Sequence, residues 1–168
     1  MSLATALAAD RECDLPSAAR AYEEAIASGD QALDVLLSLA LLYWQATDPG
    51  LASTQRLTSD FLAIAGKRYV ELLDLACRLY PTSSEAHFWK QYVEWTDLGG
   101  VPIDAAECRR MLHTEPSVLI PAMHLFVSSQ GKEAALEAEE LLRQCRERGT
   151  TGARYVVSVL EGVMRRRT

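Results

Sequence analysis

Residues 15–43 read LPSAARAYEEAIASGDQALDVLLSLALLY. Ala18, Tyr22 and Ala25 are spaced by four and then three, which sets them on one face of an α-helix. Ser28-Gly29-Asp30 interrupts that period with turn-forming residues. Leu36, Leu39, Ala40 and Tyr43 then resume it. The stretch therefore predicts two helices joined by a tight turn, with Ala25 and Ala40 small enough to let the helices approach closely.

Outward from this pair the punctuation repeats. Turn signals fall at Asp14-Leu15-Pro16, Asp48-Pro49-Gly50, Pro81-Thr82-Ser83, Gly99-Gly100-Val101-Pro102, Glu115-Pro116-Ser117, Gln130-Gly131 and Gly149 to Gly152. Helical segments are expected at 2–13, 15–28, 31–47, 51–80, 84–98, 103–114, 117–129, 131–148 and 151–166. The segment 51–80 is long and is expected to break at Ser59-Asp60, where either residue can cap a second helix. No segment alternates polar and apolar residues for long enough to suggest a sheet. Pro81, Pro116 and Gly149 are separated by 35 and 33 residues, and Pro16 and Pro49 by 33. A period near 34 residues with two helices per unit is the signature of stacked helical hairpins, none of which buries its apolar face alone.

This pattern resembles the tetratricopeptide (TPR) repeat. Ala18, Tyr22 and Ala25 match its second helix, and Leu36, Leu39, Ala40 and Tyr43 match the first helix of the next unit. Tyr69, Leu73, Ala76 and Pro81 match a further second helix, while Trp89 and Tyr92 resemble the related half-a-TPR repeats. Asp30 stands where a closing proline is expected, and roughly 17 extra residues lie around 51–65 relative to the usual period. After Pro81 the strict register puts His87, Lys90, Gln91 and Glu94 at packing positions. Those residues make a polar face, whereas Phe88, Tyr92 and Trp95 make an apolar one, so this helix is read as rotated by about one residue. The expectation is a single all-α domain over 1–168. It is a right-handed, TPR-like superhelix of about four hairpins closed by a C-terminal capping helix.

In TPR proteins first helices line a concave groove that receives a peptide. The resemblance carried onto this chain implies a partner-binding groove at Asp34, Leu37, Leu41, Trp44 and Gln45. Polar selection falls to His87, Lys90, Gln91 and Glu94, with Trp95 as a further aromatic anchor. Trp44 reads equally as groove or as core. The function that follows is a non-enzymatic adaptor or scaffold for a protein or peptide. The alternative is a small acidic immunity or chaperone-type protein that neutralises a toxin or secreted effector.

Composition narrows the remaining classes. The 168 residues are 49% apolar and 24% charged, which excludes disorder. Seventeen basic against 23 acidic residues, net −6, argue against nucleic acid, whose phosphates demand a basic surface. No apolar run reaches the length of a membrane helix. Cys13, Cys77, Cys108 and Cys145 form no C-x-x-C pair, and the first residues do not read as a secretory signal. Reduced cysteines and a cytoplasmic location are expected. The chain holds no nucleotide-binding, serine-hydrolase or zinc-protease motif. His87, His113 and His124 have no His or Cys three or four residues away, so no metal and no cofactor are expected. Glu139 and Glu140 are expected to pair with Arg143 on a solvated helix face. The stripe of Tyr155, Val156, Val159, Leu160, Val163 and Met164 reads as a capping helix or as a homodimer surface through 151–166.

Overall fold

The computed structural model describes residues 3–167, which form ten α-helices and, among the described residues, no strand. The helices are α1 (Leu3–Arg11), α2 (Leu15–Ala27), α3 (Leu33–Ala46), α4 (Pro49–Thr54), α5 (Ser59–Leu79), α6 (Ser84–Asp97), α7 (Ala105–Thr114), α8 (Ile120–Ser128), α9 (Ala135–Arg148) and α10 (Thr151–Arg167). Their starts are written in short polar side chains. Asp14, Asp48, Ser83 and Asp104 each accept a hydrogen bond from a backbone N–H of the first turn, satisfying a donor that has no partner within the helix. The long segment does divide, but its cap is Thr58 rather than Ser59 or Asp60. The Thr58 hydroxyl accepts from Phe61 N–H at 3.2 Å, and Asp60 contributes negative charge to the first turn.

The chain sorts into two compact units, residues 1–80 with 149–152 and residues 81–148 with 153–168. In the first unit α1 packs on α2, α2 on α3, and α3 on α4 and α5. Eleven of the 14 residues of α3 are buried, because a helix with leucine on every side must be enclosed. Val35, Leu36, Leu39 and Leu42 are all fully buried, each contributing about 1.5–3 kcal/mol of apolar transfer energy. On α5, Tyr69, Leu73 and Ala76 face inward together with Ala65 and Leu72. Arg68 of α5 grips Glu23 of α2 with two parallel bonds of 2.8 and 3.0 Å, and Tyr43 of α3 donates to the same carboxylate at 3.3 Å. Burial, followed by the Glu23 charge, pushes the Tyr43 phenol well above its ordinary range.

The four late residues of this unit are fixed by a buried carboxylate. Asp10 Oδ1 accepts from Thr151 N–H at 2.7 Å and from Thr151 Oγ1 at 2.6 Å, while Tyr22 donates to Oδ2 at 3.2 Å. Asp10 is fully buried, and Thr150 and Thr151 nearly so. Gly152 lies against Leu41 so closely that a Cβ would stand 2.7 Å from Leu41 Cδ1. A stack made only of consecutive hairpins does not call for a contact between residues 10 and 151.

In the second unit α8 is the centre and packs on α6, α7 and α9. Seven of its nine residues are buried, including His124. Pro121 sits in the first turn, where its missing N–H costs nothing. The rings of Phe88, Trp89, Tyr92, Trp95, His124 and Tyr155 form one connected cluster, closed by a 2.6 Å hydrogen bond between the Tyr92 and Tyr155 hydroxyls. Val156, Leu160 and Val163 of the α10 stripe are buried, and Tyr155, Val159 and Met164 are half-buried. On α9, Arg143 pairs with Glu140 and with Glu147, not with Glu139.

Candidate functional site

The residues expected to form a groove separate into two groups with different fates. On α3, Leu37, Leu41 and Trp44 are 3%, 7% and 5% exposed, so the anchoring side chains are interior. The core reading of Trp44 is the one the structure adopts. The physical reason is that α3 is apolar all round and is enclosed by α2, α4 and α5, while Gly152 covers Leu41. Asp34 is exposed and Gln45 half-buried.

On α6 the expected face is open. His87, Lys90 and Glu94 are half-buried and Gln91 is exposed, while Phe88 and Tyr92 on the opposite side are buried and Trp95 half-buried. Burial thus follows the rotated register rather than the strict family one. Trp89 is buried as well, so the aromatic face is wider than the sequence pattern suggested.

The polar face borders a groove between α6 and α7. Near the start of α6 a depression of about 360 Å³ is lined by Thr82, Ser84, His87 and Gln91 on one side and by Glu107, Arg110, Met111 and Thr114 on the other. It adjoins a second depression of about 440 Å³, lined by Gln91, Glu94, Val101, Pro102, Ile103, Asp104 and Glu107. Gln91 and Glu107 belong to both. Ile103 and Met111, each 6% exposed, give the groove a buried apolar floor.

Both ends of the groove are held. At one end Glu115, which caps the C-terminus of α7, accepts from Ser84 N–H at 3.0 Å, and hydrogen bonding from the Ser84 side chain, then from its N–H, keeps the Glu115 carboxyl below the usual range. His87 Nε2 donates to the Pro81 carbonyl at 2.7 Å, which fixes the imidazole edge at the rim. At the other end the chain turns from α6 into α7 through residues 98–104. Between these ends α7 leans on α8 rather than on α6, which leaves the space open.

Asp104, Glu107, Arg110 and Val101 complete this site, and sequence reasoning did not select them. The available signal was the spacing of Glu107, Arg110 and Thr114 at three and four, which sets them on one face of α7. The groove offers carboxylates, amide, imidazole and guanidinium groups above an apolar floor, a set suited to holding side chains of a ligand. The two buried thiols lie outside it. Burial, with the carboxylates of Glu107 and Asp104, pushes Cys108 up to about 12, and burial with Glu85 pushes Cys145 up to about 11. Both are protonated at neutral pH and therefore poor nucleophiles. Burial also depresses the His124 imidazole below its ordinary range, so it is neutral in the interior. Among the described residues no group of three or more His, Cys, Asp or Glu is arranged to hold a metal ion, and no helix is long and apolar enough to cross a membrane.

No family model, curated protein or solved structure matches this chain.

Proposed function

We propose that the protein is a non-enzymatic binding module that receives a peptide segment of a partner protein along the α6–α7 groove. The observation that carries this reading is the meeting of the partly exposed polar face of α6 with a facing row of polar side chains on α7, above the buried Ile103 and Met111. Peptide sites of this kind combine an apolar surface for side chains with a few polar groups that fix register. In this reading the chain is a degenerate TPR-like adaptor of the cytoplasm. The packing of sequence neighbours, α1 on α2, α2 on α3, α7 on α8 and α8 on α9, supports the hairpin-repeat part of that statement. The binding surface it proposes is confined to α6 and α7, and α3 serves as core.

The test is selection of displayed peptides on the immobilised full chain, followed by Gln91→Trp. Gln91 is exposed and borders both depressions, so an indole there fills the groove without disturbing the core. Selected peptides should lose at least about tenfold in affinity, equivalent to about 1.4 kcal/mol, while the urea midpoint stays unchanged. Equal binding to the variant and the parent would remove the groove from consideration.

A further inference from the structure

Resting on the peptide-groove reading above, we propose that the ligand presents a cationic side chain beside an apolar one, and that both engage the end of the groove formed by α6, the 98–104 turn and the start of α7. Three carboxylates line that end, Glu94, Asp104 and Glu107, and among the described residues no basic side chain does. Lys90 approaches Glu94 from outside at 3.7 Å, and Arg110 bonds Glu107 from the neighbouring depression. Asp104 spends one oxygen on the Ala106 N–H. The Glu94 and Glu107 side chains are 44% and 27% exposed. Ion pairs at such partly hydrated positions are worth little, so an incoming guanidinium or ammonium can share or replace the resident cations at small cost.

The second feature is apolar. Val101 is 86% exposed and Leu98 51% exposed, and both belong to the turn that walls the carboxylates. The backbone holds this turn in place. Gly99 has φ +70°, and Gly100 N–H and Leu98 N–H donate to the Glu94 carbonyl at 2.8 and 3.1 Å, the helix-ending pattern that satisfies a late carbonyl. A Cβ on Gly100 would stand 2.8 Å from the Glu94 carbonyl carbon, so only glycine allows this approach. The valine is therefore held outward at a fixed distance along the chain from Glu94.

Ligand classes can be sorted against these features. An anionic segment, phosphorylated or acidic, would meet three carboxylates against two resident cations, Lys90 and Arg110. A wholly apolar segment would strip water from those carboxylates with nothing in return. A segment carrying Arg or Lys next to Leu, Ile or Val satisfies both the carboxylates and the exposed valine. The net charge of −6 adds long-range attraction for such a segment.

The experiment uses the full ¹⁵N-labelled chain and three synthetic peptides, acetyl-Ala-Leu-Arg-Leu-Ala-amide and its Glu and Gln counterparts. Amide shifts are followed during titration to millimolar concentration. The Arg peptide should move the amides of Gln91, Glu94, Val101 and Glu107, and the Glu peptide should not. Glu94→Gln and Glu107→Gln should each weaken Arg-peptide binding about two- to fivefold, as expected for a partly exposed pair. Val101→Ser should weaken the Arg and Gln peptides alike, and added salt should weaken the Arg peptide selectively. If the Glu or Gln peptide moves the same amides with equal affinity, the cationic requirement is overturned while the peptide groove stands. If none of the three moves groove amides, both readings fall.

Discussion

Helices α3 and α6 have the same length and the same expected place in a hairpin, yet one is swallowed and the other keeps an open face. Eleven of 14 residues are buried in α3 and five of 14 in α6. The difference is written in charge. Asp34, in the first turn, is the single Asp, Glu, Lys or Arg of α3, whereas Lys90, Glu94 and Asp97 recur through α6. Each charge along a helix marks a direction that must stay near water, because removing it from water costs more than packing returns. Aromatic content does not predict the difference, since the open helix α6 carries four aromatic residues and the enclosed α3 two. A binding face in this chain is thus better located by interleaved polar residues than by aromatic anchors.

The largest expected effect tests this contrast directly. Trp44→Ala removes a 5%-exposed side chain from the first unit and should cost about 3–5 kcal/mol, read as a large fall in urea midpoint. Gln91→Ala, on the exposed face of α6, should stay within about 0.5 kcal/mol of the parent. A Trp44→Ala protein with an unchanged midpoint would mean that α3 is not enclosed.

The next effect concerns what helps to enclose α3. Asp10→Ala deletes the acceptor for Thr151 N–H, Thr151 Oγ1 and Tyr22 Oη, and so removes three hydrogen bonds from the interior. The expected loss is about 2–4 kcal/mol, with Thr151→Val losing less because the backbone donor remains. Equal midpoints for the parent and Asp10→Ala would mean that the tie contributes nothing to the first unit.

These two sites also mark how much could be read beforehand. The helices were legible because their caps and breakers are local: Asp14 and Ser83, both within the expected turns, sit one residue before their helices, as a backbone with orphan donors requires. The rotation of α6 was legible because four polar residues at helical spacing cannot all pack. The burial of Trp44 was not, since a period of three and four fits a groove wall as well as a core. The bond from Asp10 to Thr151 spans 141 residues, and nothing in the spacing of either residue points to the other. The groove was half legible. The α6 wall carries its own polar pattern, but the α7 wall acquires meaning only once α7 leans on α8 and leaves a gap. Thr58 was missed as a cap because Ser59 and Asp60 beside it are equally good candidates by type, and the choice among three adjacent residues is made by the geometry of the first turn.

A smaller effect is expected at the turn that ends α6. Gly100→Ala forces a methyl to within 2.8 Å of backbone atoms of Glu94 and must open the turn. A loss of about 1–3 kcal/mol is expected, the usual range for crowding a closely packed position. Gly99→Ala should cost less, since a Cβ there has nothing within 4 Å and meets only the strain of φ +70°. The reverse order would indicate that the turn is not held against α6.

The smallest effect carries a sign rather than a size, and it also belongs to α6. Glu85 lies in the first turn of that helix, where burial, and then the nearby charge of Glu115, raises its carboxyl above the ordinary range. The folded chain therefore holds this proton more readily than the unfolded chain does. Stability from the protonated form is fully present below the ordinary carboxyl range, about pH 4.3, and is lost as pH rises through the folded value. Gln at this position keeps the shape and never ionises, so Glu85→Gln should gain stability over the parent at pH 7 and lose that advantage toward pH 4. Urea midpoints of the two proteins at both pH values check this. The control is Gln91→Glu, which adds a carboxylate on the same helix at an exposed position and should change little between those pH values. A parent that is more stable than Glu85→Gln at pH 7 would mean that the Glu85 carboxylate is better solvated in the fold than its burial indicates, and the contrast between Glu85 and the exposed position 91 would weaken with it.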